Sequence, residues 1–142
     1  MCDSEIRKVF DRWAAREMQT RGKLIAEVPT FTAKSVPSPA DRPVPASQIR
    51  DWRHQRLIFA ARYKRRDYFP AFQFENGRPK PIVGRLLHLL LLVRPDDNWF
   101  CFYWFVGANA WLEGDASPSA IMDTDQDAVT VAALHANDRI SD

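Results

Sequence analysis

With 142 residues, 46% of them hydrophobic and 27% charged, the chain can bury one ordinary core or two small modules and is too apolar for a disordered segment. Its longest apolar run, Leu86 to Val93 with one histidine, falls far short of the roughly 20 residues a membrane-spanning helix needs. The polar opening Met1-Cys2-Asp3-Ser4-Glu5 lacks a signal-peptide pattern, so no membrane association and a cytoplasmic location are expected. The net charge of +2 conceals a sharp partition. Residues 42–85 carry eleven Lys/Arg against three Asp/Glu, whereas residues 96–142 carry nine Asp/Glu against Arg139 alone. Such asymmetry points to two surfaces with different partners, most simply nucleic acid for the basic half and protein for the acidic half. Cys2 and Cys101 lie far apart and do not make a disulfide framework.

In chain order, Ile6, Val9, Phe10, Trp13 and Ala14 follow helical spacing, which predicts a helix over residues 3–26 with Gly22 as a potential break. Five prolines between Pro29 and Pro45 exclude a long helix and predict an extended linker. Ser47 is the expected N-cap of a helix reaching Gln55 or Arg56, with Ile49 and Trp52 on its apolar face. The aromatic segments Leu57–Tyr63 and Tyr68–Phe74 flank Lys64-Arg65-Arg66-Asp67, the pattern of a β-hairpin with a basic tip. Pro70 demotes its second arm to an edge or irregular strand. Asn76-Gly77 is a turn signal. Helices are expected from Pro81 to before Pro95 and from Asp97 to Val106. Asn109 to Gly114 reads as a connecting bend, and Pro118 as the first residue of a short helix. Thr124-Asp125-Gln126-Asp127 reads as an acidic cap of a last helix using Ala128, Val131, Ala132 and Leu134.

The expected fold class is mainly α, with a small winged-helix-like basic module carrying one β-hairpin, followed by an α-helical module. The expected boundaries are 1–45 for the N-terminal helix and proline-rich linker, 46–78 for the basic module and 79–142 for the helical module. In the basic module Arg50, Arg53, His54 and Arg56 share a helix with Lys64, Arg65 and Arg66 at the hairpin tip. A recognition helix and a basic wing require this layout to contact bases and phosphates. The same charges also fit a solvated helix face and turn, or a basic half paired with the acidic half within the chain or across a dimer. The helix that should precede a recognition helix would fall among the prolines of 29–45, so the motif is degenerate.

No catalytic constellation is apparent. His54, His88 and His135 fall in separate elements, and Asp123, Asp125 and Asp127 lack the glycine and closing glutamate of a calcium loop. No phosphate-binding, dinucleotide or nucleophile-elbow motif occurs, so no enzyme activity, no metal and no cofactor are expected. The cluster Trp99, Phe100, Phe102, Tyr103, Trp104, Phe105 and Trp111 holds more rings than one helix face buries, which leaves Phe100, Trp104 or Trp111 as candidates for exposure at a protein interface.

The ordered series Phe69-Pro70-Ala71-Phe72-Gln73-Phe74, Asn76-Gly77-Arg78-Pro79, Trp104-Phe105, Asn109, Trp111-Leu112, Gly114 and Pro118, with a final helix after Asp125, resembles the Xre/MbcA/ParS-like antitoxins of RES-domain toxin pairs. The resemblance covers roughly residues 47–136. It implies a type II toxin–antitoxin system in which this chain neutralises an NAD-consuming RES-domain toxin by obstructing its active-site cleft and represses its own operon. It further implies that Trp104, Asn109, Trp111, Leu112, Gly114 and Pro118 belong to the toxin-binding part. Operator DNA would be bound by a homodimer, because paired half-sites multiply weak affinity. The sequence departs from the family in its N-terminal part, which is closer to a winged, MerR-like variant, and in Glu113 before Gly114 where a glycine pair is usual. The competing expectation is a stand-alone MerR-like transcription regulator, and a third is an adaptor that binds neither DNA nor a toxin.

Overall fold

The computed structural model describes residues 3–138. The chain is mainly α-helical, with six α-helices and a small antiparallel hairpin region. Helix α1 spans Asp3–Glu27, and α2 spans Ala46–His54. Three short strands, β1 (Thr30–Phe31), β2 (Ala61–Tyr63) and β3 (Arg66–Pro70), form one sheet in the order β1-β3-β2, and β4 (Phe74–Glu75) pairs with β5 (Arg78–Pro79). Then follow α3 (Pro81–Leu90), α4 (Asn98–Val106), α5 (Pro118–Ile121) and α6 (Gln126–Leu134).

Two apolar clusters hold these elements. The larger joins Ile82, Val83, Leu86, Leu87 and Leu90 of α3 to Trp99, Phe102 and Phe105 of α4, to Met122, and to Val129, Ala132 and Ala133 of α6. The smaller gathers Val36, Val44, Ile49, Ile58, Ala60 and Phe69. Residues 58–61 belong to both: Ile58 and Ala60 face the smaller cluster, Phe59 and Ala61 the larger. Side chains of an extended chain alternate in direction, so this segment forms a wall between the two clusters, buried on both sides.

The proline-rich segment holds no long helix, as its prolines demand, but it is neither an extended linker nor detached: it turns at residues 33–35 and folds back so that the Val44 amide donates to the Val36 carbonyl at 2.9 Å. Thr30 pairs with Pro70 and Phe31 with Phe69, while Val36 is wholly buried. That pairing makes β3 the central strand, against the expectation of an edge strand. Pro70 is tolerated because it is the last residue of β3, where a missing N–H interrupts no further ladder bond. The expected second hairpin arm ends there, and Ala71–Gln73 forms a 3-10 turn instead. Nor is Ser47 an N-cap: α2 starts one residue earlier, behind Pro45, whose carbonyl accepts from Gln48 and Ile49. Gly22 does not break α1; it leaves room for the Tyr63 ring, whose hydroxyl would stand 2.5 Å from an added Cβ.

Local chemistry explains the remaining ends. Asp97 caps α4 by accepting from the Phe100 amide at 3.1 Å, and Asp125 caps α6 by accepting from Ala128 at 3.0 Å. Pro81 and Pro118 occupy the first turns of α3 and α5, where no helical donor is needed. At Asn76-Gly77 both residues have positive φ, giving the tight reversal between β4 and β5. Helices α3 and α6 run side by side in parallel, tied by Lys80–Asp123 at 2.9 Å, Arg85–Gln126 at 2.9 Å and Leu89–Asn137 at 3.4 Å.

Candidate functional site

Helix α2 and the β2–β3 hairpin carry the basic residues singled out from the sequence. The hairpin tip consists of Lys64 and Arg65 alone, with Tyr63 opposite Arg66, so Arg66 and Asp67 lie within β3 rather than at the tip. Lys64 and Arg65 both adopt left-handed backbone values (φ 47° and 65°). Asn-Gly is the usual choice for such a turn, and side chains with a Cβ pay steric strain there. Two long cations are thus held at the outermost point of the sheet, against local preference.

Asp67 organises the rest. Its two carboxylate oxygens accept from Arg53 Nη1 at 2.9 Å and from Arg62 Nη1 at 3.2 Å, and the Arg53 guanidinium also lies 5.9 Å from the Phe69 ring. Partial burial by itself raises the carboxyl pKa, but the two guanidinium groups outweigh it and hold Asp67 below its ordinary 3.8. Arg53 is therefore folded onto the hairpin, while Arg50 and His54 remain exposed on α2. Arg56 turns away at φ 58° and reaches 4.0 Å from Asp96. With Arg53, His54 and Asn98 it lines a cleft of about 470 Å³. A second cleft, of about 480 Å³, brings Lys34 beside Arg62, Arg65 and Arg66. Sequence reasoning passed over Lys34 and Arg62. Lys34 sits in the proline-rich stretch, and only the pairing of β1 with β3 carries it to the hairpin.

The second surface lies on α6 and the bend before α5. Asn109 holds the bend: its Oδ1 accepts from the Trp111 amide at 2.9 Å, and its own amide donates to the Ala116 carbonyl at 3.2 Å. Gly114 takes φ 67° in the 3-10 turn that follows. Leu112 and Pro118 are buried, and Trp104 is half-buried with its ring edge-on to Phe105 at 5.1 Å. Of the six residues that the family resemblance implied, Asn109 holds the bend, Leu112 and Pro118 are buried in and just after it, and Trp104 packs on the larger core from α4. Gly114 shapes the exposed turn, and Trp111 alone presents a large apolar side chain to solvent, being 57% exposed. Phe100 is half-buried beneath Arg94.

Trp111 stacks face to face on His135, with centroids 3.7 Å apart and planes 7° apart. His135 lies just beyond α6, four residues from Val131 and one from Leu134, both of which are exposed. The spacing puts Val131, Leu134 and His135 on one outward side of the helix. Glu113, Asp115 and Asp127 stand in the same elements without an ion pair among the described residues. Two ion pairs, Lys80–Asp123 and Arg56–Asp96, link the basic half to the acidic half. Among the described residues these two pairs leave most of the charge partition uncancelled. The sequence set Val131 and Leu134 on the apolar side of the last helix with Ala128 and Ala132, but both are exposed and α6 buries Val129, Ala132 and Ala133 instead; His135 was not singled out as a surface residue. No residue-type signal separates Val131 and Leu134 from the buried Val129, Ala132 and Ala133 of the same helix, because both sets are apolar.

Among the described residues no group of three His, Cys, Asp or Glu side chains is placed to hold a metal ion, and no helix is long and apolar enough to cross a membrane. Cys101 is fully buried in α4. Compared with family models, curated proteins and solved structures, the chain matches none of them.

Proposed function

We propose that this chain is the antitoxin of a type II toxin–antitoxin pair, a non-catalytic inhibitor whose acidic C-terminal module docks on a RES-domain toxin. The observation that carries this reading is the Trp111 patch. A large ring, stacked on His135 and with its own backbone amide held by Asn109, stands exposed with Val131 and Leu134 in elements whose Glu113, Asp115 and Asp127 make no ion pair among the described residues. An aromatic anchor ringed by charge is the anatomy of a protein interface. An NAD-binding cleft is electropositive because it receives a pyrophosphate, so an acidic module is attracted to its mouth and occludes it.

The test is growth rescue. The chain is expressed together with the RES-domain protein encoded beside it, and Trp111→Ala is compared with the parent. The parent restores growth and Trp111→Ala loses most of the protection; intact protection by that variant rejects the interface, and the lack of a RES-domain neighbour rejects the pairing. Leu112→Ala is not a suitable probe, because Leu112 is buried and its loss opens a cavity.

The strained Lys64-Arg65 tip favours a second role for the basic half, contact with operator DNA phosphates. This is also what a stand-alone MerR-like regulator would use. Retention on duplex DNA from the chain's own upstream region should fall steeply as salt rises, and Lys64→Ala with Arg65→Ala should flatten that dependence. Salt-independent retention, or none, removes the DNA role and leaves the inhibitor reading standing.

A further inference from the structure

Helix α1 divides into two parts. Its C-terminal part is anchored: Tyr103 Oη donates to Glu17 Oε1 at 2.9 Å, Arg21 bonds Glu17 at 3.1 Å and lies over Trp99, and Leu24 and Ile25 pack on the larger core. Its N-terminal part, residues 3–16, is exposed throughout except for half-buried Ala14. That part nevertheless carries Ile6, Val9, Phe10 and Trp13, which are 54%, 56%, 62% and 60% exposed and line a single apolar depression. Phe10 and Trp13 touch, with ring centroids 5.8 Å apart. An isolated helix of this length is marginal in water, so a projecting helix with an uncovered apolar stripe needs a second surface to lie on.

We infer that this surface is the same stretch of a second copy of the chain, packed antiparallel. Two features of the stripe match that occupant. Reversing it about a two-fold axis between Val9 and Phe10 sets Ile6 against the partner copy's Trp13 position and Val9 against its Phe10 position, so each aliphatic group meets a ring. Helical spacing also puts Glu5, Arg12 and Arg16 along one flank of the stripe. In an antiparallel pair each flank faces its own kind in reverse, so Glu5 of either chain falls beside the arginines of the other, twice over. The overlap of residues 3–16 is about 21 Å long at 1.5 Å per residue and ends where each α1 enters its own body at Glu17. A lipid surface fits less well, because Asp3, Glu5 and Asp11 are interspersed with the four basic residues of the same stretch. This inference depends on neither the toxin nor the DNA reading.

Sedimentation of the full chain at rising concentration tests it. The expected mass moves from the 16.4 kDa of one chain to twice that value. Phe10→Asp combined with Trp13→Asp stays at the mass of one chain with an unchanged circular dichroism spectrum beyond the loss from α1. Glu5→Arg weakens the dimer about two- to fivefold per pair, the range exposed ion pairs supply, and adding Arg12→Glu and Arg16→Glu restores it. A parent that remains a monomer at every concentration overturns the inference, and so does a dimer that survives the double substitution. A monomeric parent that binds phosphatidylcholine–phosphatidylserine vesicles through Phe10 and Trp13 assigns the stripe to membrane instead.

Discussion

The Gln73 side chain closes both backbone hydrogen bonds of Phe59. Its Oε1 accepts from the Phe59 amide at 2.7 Å, and its Nε2 donates to the Phe59 carbonyl at 2.9 Å and to the Pro70 carbonyl at 3.2 Å. Phe59 sits in the wall between the two apolar clusters, two residues before β2 and outside any strand itself. A primary amide reproduces the donor–acceptor pair of a missing strand, which is why a polar side chain is wholly buried there. Replacing Gln73 by Leu leaves a buried N–H and carbonyl unpaired, at roughly 1–3 kcal/mol each. Thermal and urea unfolding should show a loss of about 2–6 kcal/mol, and a loss below about 1 kcal/mol would mean that water or a shifted backbone takes over.

Asp67 gives the hairpin an acid-sensitive joint. Its folded-state pKa lies below the ordinary 3.8, so its contribution to stability is complete above that value and disappears as pH falls through the lower folded value. Asp67→Asn should therefore lower the melting temperature at neutral pH, and the gap between variant and parent should narrow steadily as the pH drops below about 4. A gap that stays constant down to pH 2 would assign the effect to packing rather than to the carboxylate's charge.

Cys101 should be chemically silent in the folded protein. Burial, reinforced by the Asp97 carboxylate, pushes its thiol up to about 12. At pH 8 roughly one thiol in ten thousand is then ionised, and the sulfur is out of reach of a reagent as well. Cys2 lies outside the described residues and is removed by Cys2→Ser for this measurement. A thiol-reactive disulfide should label that variant only after denaturant is added; fast labelling of the native protein would show that α4 opens.

Much of the helical module was legible from the sequence because its signals are local. The apolar spacing from Ile82 to Leu90 marked α3, Pro118 marked the start of α5, and Asp125 proved to be the cap of α6. Asn76-Gly77 reversed the chain where expected. These patterns act over four residues or fewer, through helix periodicity, proline geometry and capping.

The candidate surfaces were less legible, because exposure depends on partners far away in the chain. Trp104 and Trp111 look equivalent in the sequence, yet one lies against Phe105 and the other stands on His135, 24 residues further on. Arg53 belongs to the basic stripe of α2 by spacing, but Asp67 draws it onto the hairpin. The order of residues alone determined that this protein carries one basic and one acidic stretch, since the charge of each side chain is fixed by its identity and position in the chain. Tertiary structure decided which of those charges and rings remain outside. It stitched the proline-rich segment to β3, laid Glu17 against Tyr103, and left Trp111 and the stripe from Ile6 to Trp13 without cover. The physical reason is that burial is settled by long-range packing, which a local pattern constrains but does not specify.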